Sequence, residues 1–170
     1  MFILLLFVYV SILSAAPTLN ECREELAKAR ECGQNVPGKI WKIVSKEEFD
    51  NNSFFFNTYN ECLGEPKCDI NKGTKKLNMV KWEILGKMSD IYSCVGNDVY
   101  DKIKTLCSIK TRGTDCSDNA FYDCTISGLE KSSNCSPLDV EKFKELVTPI
   151  KQMCSMKKEH RTKFANFGRE

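Results

Sequence analysis

The chain has 170 residues, a formal charge of +2, ten cysteines and a single histidine. That length holds one compact domain. The balanced charge argues against a nucleic-acid binder, which needs a basic face, and one histidine leaves little for acid–base catalysis.

Met1 to Ala16 contains no charged side chain, and Phe2 to Leu13 form an apolar run followed by Ser14-Ala15-Ala16. A bilayer needs about 20 apolar residues, so the run is short for a span and has the pattern of a secretory signal peptide. Residues 1–16 are read as that leader, with cleavage near Ala15 or Ala16. The mature chain is then expected to be secreted and extracellular, with no membrane span after cleavage.

Helix signals follow. Thr18-Leu-Asn-Glu21 is a capping box opening a helix with Cys22, Leu26 and Ala29 on one face and Gly33 placed to stop it. Lys39 to Val44 reads as either a helical turn or a short extended piece. Ser45-Lys-Glu-Glu48 opens a second helix through Phe49, Phe56 and Tyr59. The strongest periodicity spans about 76–95, where Leu77, Val80, Ile84, Met88, Ile91 and Val95 recur at steps of three and four. Asn97 can cap a helix carrying Val99, Ile103 and Leu106, and Ser117 or Asp118 can cap one carrying Phe121, Cys124 and Leu129. Ser136-Pro-Leu-Asp139 supplies a serine cap, proline at the first helical position and an acid at the third. Val140, Phe143, Val147, Ile150 and Cys154 then share a face. Strand-like alternation is scarce. The expected fold is all-α, a compact disulfide-stapled bundle of about six helices in a single cysteine-rich domain over 17–156. Residues 157–170, with five basic and two acidic side chains, read as a basic, flexible tail.

The cysteines are Cys22, Cys32, Cys62, Cys68, Cys94, Cys107, Cys116, Cys124, Cys135 and Cys154. Structural zinc asks for Cys-x2-4-Cys or paired histidines, and redox chemistry for Cys-x-x-Cys; neither pattern occurs. No metal and no cofactor are expected. An even count behind a leader reads as five disulfides, with connectivity left open by the sequence. Cys22, Cys94, Cys107, Cys124 and Cys154 fall on or beside apolar stripes, where they can join neighbouring helices; Cys116 and Cys135 fall at helix boundaries.

No nucleophile–histidine set can be assembled, and oxidised cysteines cannot serve as nucleophiles, so the chain is read as a non-enzyme. Asp115, Asp118 and Asp123 lack the glycine and terminal glutamate of a calcium loop and are read as helix caps. Phe54-Phe55-Phe56 cannot all face inward from one helix; they are candidates for apolar ligand or partner contact. Asn51 and Asn134 begin Asn-x-Ser sequons and are candidate glycosylation sites. The favoured reading is a non-enzymatic extracellular interaction module meeting another protein or a cell surface. The alternative is a carrier of a small apolar ligand in an inter-helix cavity, for which Phe55, Met79 or Met88 would be lining residues.

Cys22-x9-Cys32, Tyr59-Asn-Glu-Cys-Leu-Gly-Glu-Pro-Lys-Cys68 and Cys94-x12-Cys107-x8-Cys116 together resemble a nematode secreted cysteine-rich domain family, domain of unknown function nineteen. The resemblance covers most of the mature chain and implies an extracellular domain with no established activity; the family pattern has twelve cysteines, against ten here. The last three of those cysteines are also similar to arthropod odorant-binding proteins, helical carriers of apolar ligands, although that family's Cys-x3-Cys pair is absent.

Overall fold

A computed structural model describes residues 16–96, 98–114, 116 and 119–167. Residues 1–15, and with them nearly all of the proposed leader, lie outside the described residues, as do Asn97, Asp115, Ser117 and Asp118. The described residues form seven α-helices and one 3-10 turn, with no strand among them. In chain order these are α1 (Leu19–Gln34), the turn Gly38–Trp41, α2 (Lys46–Leu63), α3 (Asp69–Ser89), α4 (Tyr92–Val95), α5 (Val99–Thr111), α6 (Asn119–Glu130) and α7 (Pro137–Phe167). The disulfide-stapled all-α bundle is what the sequence predicts.

Local chemistry explains most of the ends. The Thr18 hydroxyl accepts from the Glu21 backbone N–H, and the Thr18 N–H donates to the Glu21 carboxylate at 2.6 Å, completing the capping box of α1. Ser45 caps α2 by accepting from the Glu48 N–H. Ser136 and Asp139 cap α7 reciprocally, at 2.9 and 3.2 Å. Gly64 ends α2 with φ +59°, a left-handed value that glycine adopts without steric cost.

Three expectations change. The periodic segment expected at about 76–95 begins seven residues earlier, at Asp69, and is broken at Asp90 and Ile91 before the short α4. Gly73 obscures the early start because glycine is a poor helix interior residue. Here it has a packing role: a Cβ at Gly73 would approach the His160 ring to 3.0 Å. Leu106, placed on the buried face of α5, is 67% exposed, and Cys107 is buried instead. The tail is not a flexible extension as far as Phe167: α7 runs unbroken through the expected boundary at 156. Its charges hide a stripe of Met156, His160 and Phe167 that continues the inner face, with Phe164 beside the His160 ring but exposed. Gly168, Arg169 and Glu170 lie outside the described residues.

α7 packs along α3, and α5 pairs with α6. The α5–α6 approach is close enough that a Cβ on Gly128 would meet Ile103 at 2.7 Å. The main core joins α3–α7: Ile84, Met88, Ile91, Val95, Phe121, Tyr122, Leu129, Phe143, Leu146 and Ile150 are all buried. A much smaller core joins Cys22, Cys68 and Ile70, with Phe167 packed against it.

All ten cysteines are paired: Cys22–Cys68, Cys32–Cys62, Cys94–Cys135, Cys107–Cys124 and Cys116–Cys154. The first two tie α1 to the α2–α3 corner. Cys94–Cys135 joins α4 to the approach to α7, Cys107–Cys124 joins α5 to α6, and Cys116–Cys154 anchors the α5–α6 connection on α7. In the chain-entropy view each contributes about 3–4 kcal/mol by restricting the unfolded chain.

Candidate binding cleft

α3 carries an apolar face toward α7 and an aromatic one toward α2. Between the Trp41 turn, α3, α4, the start of α5 and α7 lies a half-open cleft of about 640 Å³. Its floor is apolar: Ile84, Leu85 and Met88 from α3, Val95 from α4, and Ile150 and Met153 from α7. Trp41 and Ile43 form one side, Tyr92 and Tyr100 another. The polar groups on its rim are Lys42, Lys81, Lys104, Asp98 and Asp101. Volumes of roughly 300–1,000 Å³ with an apolar lining and a few polar groups are usual for small-molecule sites.

Lys81 is half-buried, with its amine 4.7 Å from the centre of the Trp41 ring. Burial, and secondarily repulsion from Lys157, hold that amine below the usual lysine range. No carboxylate among the described residues acts on it. Lys104 is different: it lies over the Tyr100 ring at the opposite end.

The wall behind Trp41 is an aromatic stack that no spacing in the sequence signals. The Trp82 ring lies between Phe49, centroids 4.3 Å apart, and Phe56, at 4.4 Å, with Trp41 edge-on to Trp82 and Phe56. Phe49 and Trp82 meet only because Gly86 is small: a Cβ there would lie 3.0 Å from the Phe49 ring. A shallower groove runs along the outside of this stack, lined by Met79, Val80 and Trp82 with Lys76, Glu83 and Lys87 at its edge.

The candidate contact residues are therefore dispersed. Phe56 is buried in the stack, Phe55 is half-buried, and Phe54 is 71% exposed on the outside of α2; neither Phe54 nor Phe55 lines the cleft. Met88 lines the cleft and Met79 the outer groove. Asn51, on α2, and Asn134, in the turn before Cys135, are both exposed. His160 faces α3, its Nε2 2.8 Å from the Thr74 hydroxyl and 3.0 Å from the Ile70 carbonyl oxygen. It lines a polar groove with Asp69, Lys72, Glu159 and Lys163, away from the cleft. No group of three or more His, Cys, Asp or Glu side chains placed to hold a metal occurs among the described residues.

Comparison of the chain with protein-family models, curated proteins and solved structures finds no match. No described helix is long and apolar enough to cross a membrane.

Proposed function

We propose that the protein is a secreted, non-catalytic extracellular binding module, related to the nematode domain family that its cysteine spacing resembles. The observation that carries this reading is the pairing of all ten cysteines into five bridges. Such a set forms and persists in an oxidising compartment, and the apolar leader supplies the route there. Partner contact is assigned to exposed apolar side chains on helices, chiefly Leu106 and Ile109 on α5 and Phe54 on α2. Leu106 and Ile109 are three residues apart and so share a helix face. Glycans at Asn51 and Asn134 would shield the surfaces around them.

Expression of the full chain in a secreting animal cell line tests this. The expected product in the medium lacks about the first 16 residues, exposes alkylatable thiols only after reduction, ten of them, and loses mass on treatment with peptide N-glycosidase. Retention in the cell with the leader attached, or free thiols before reduction, would overturn the secreted module.

A second reading, carriage of a small apolar ligand, is favoured by the cleft: an apolar floor formed by the edge of the main core, open on one side and of a size suited to a small molecule.

A further inference from the structure

We propose that the cleft holds a single-chain aliphatic carboxylic acid, its carboxylate against Lys81 and Lys42 and its chain laid over Ile84, Met88 and Val95 toward Tyr100. The inference rests on the carrier reading and names its ligand class.

The first argument is the direction of charge along the cleft. α3 and α7 run antiparallel, with Gly73 beside His160 and Cys94 bonded to Cys135. Lys81 lies near Lys157, whereas Tyr100 packs on Phe143, ring centroids 5.5 Å apart. At 1.5 Å per residue, Phe143 and Lys157 are about 21 Å apart along α7. The Trp41 end of the cleft thus gathers Lys42, Lys81 and the field of Lys157, whereas at the far end the acids Asp98 and Asp101 flank Tyr100 and outnumber the one lysine there, Lys104. A ligand with one anionic end and an apolar body matches that polarity in one orientation. A cationic amphiphile would set its head among lysines, or reverse itself.

The second argument is Lys81 itself. A half-buried ammonium is costly unless paired, and its neighbours are the Trp41 face and a second cation. A carboxylate placed there would offset the cost of burying the ammonium and form a charge-assisted hydrogen bond. Between the two ends the outward edges of Ile84, Met88 and Val95, with Met153 and the rings of Tyr92 and Tyr100, form an apolar path, and burying an unbranched chain along it gains with each methylene. The outer groove along Trp82 lacks this arrangement, since Glu83 and Asp90 stand on its edge with Lys76 and Lys87.

The test is calorimetric titration of the full secreted chain, delipidated, with laurate, dodecanol and dodecyltrimethylammonium, all below their micellar concentrations. Laurate is expected to bind at one per chain, at least tenfold tighter than the cationic amphiphile of the same chain length. Lys81→Met keeps the stem and removes the charge, so it should fold at least as stably as the parent by thermal melting. It is expected to weaken laurate about tenfold while leaving dodecanol unchanged. Met79→Ser, in the outer groove, should alter neither. Equal binding of laurate and dodecyltrimethylammonium, or laurate binding indifferent to Lys81→Met, overturns the acid site while leaving carriage standing. Failure of all three amphiphiles to bind overturns carriage as well.

Discussion

α1 and α7 are held to the molecule by different means. The buried residues of α1 are Cys22 and Cys32, both in disulfides. α7 buries Val140, Phe143, Leu146, Ile150 and Cys154 and packs along α3. One helix is attached by covalent staples on a largely polar surface, the other by a continuous apolar stripe with one bridge added. Where a segment cannot bury enough apolar area to offset the entropy of ordering it, a cross-link acts instead by restricting the unfolded chain. The small core beneath α1, Cys22, Cys68 and Ile70 covered by Phe167, is built mainly from the staple itself.

The strongest way to break this contrast is to attack the α7 side. Phe143 is fully buried and touches Tyr100; Phe143→Ala should cost about 3–5 kcal/mol. Because the main core spans α3–α7, the loss should appear as a lower denaturation midpoint with an unchanged slope, the mark of one cooperative unit. A change confined to α7, with α5 and α6 still protected, would show that the bundle is not one unit.

The matching experiment on the other side removes the bridge between Cys22 and Cys68 with the double substitution Cys22→Ala, Cys68→Ala, which leaves no stray thiol. A closed loop of 46 residues corresponds to about 4 kcal/mol in the chain-entropy view, similar to the Phe143 effect. Its distribution should differ. Hydrogen exchange is expected to accelerate in α1 and the first turn of α3, with α5, α6 and the middle of α7 unchanged, because α1 then keeps Cys32–Cys62 and the polar contacts of Glu25 but buries little apolar surface. Uniform acceleration would place α1 inside the cooperative core.

The same division governed what the sequence could reveal. The apolar stripes of the second half, Phe121 to Leu129 and Val140 to Cys154, were legible because burial follows helical period there. The caps at Thr18, Ser45 and Ser136 were legible because they are local, each bond closing within three residues. Disulfide partners were not, since pairing depends on which helices become neighbours. The cleft was legible in only one residue, Met88, because its lining comes from five separate segments. The Trp82 stack was missed for a related reason: Phe49, Phe56, Trp82 and the space at Gly86 meet only after α2 has folded onto α3. In the tail, interspersed lysines and arginines masked the spacing of Met156, His160 and Phe167, which proves to continue the inner face of α7.

The finest difference concerns how α1 repays its attachment. α3 follows its N-cap residue Cys68 without a side-chain cap, but the backbone N–H groups leading into it are held from α1. Glu25, reaching across from α1, accepts from the Lys67 N–H at 2.8 Å, the Cys68 N–H at 3.2 Å and the Asn71 side-chain amide at 3.0 Å. Partial burial alone would raise the Glu25 pKa, but these hydrogen bonds outweigh it and set the carboxyl below its ordinary value of 4.5. Because the folded-state pKa is the lower one, the contribution is complete above about pH 4.5 and is lost as pH falls through the folded value. Glu25→Gln retains one acceptor but turns an amide N–H₂ toward donors, and should cost about 1 kcal/mol at pH 7, on the scale of a lost helix cap. That gap between parent and variant should shrink as the pH is taken from 7 to 3. The capping carboxylate of Asp139, whose pKa is also lowered, is common to both proteins and cancels in the difference; Glu21, also lowered, feels the Glu25 charge only as the smallest of its influences. Denaturant unfolding at the two pH values reads the gap directly. A gap that stays constant would mean that Glu25 acts by packing, and that the charge it offers to the start of α3 contributes nothing.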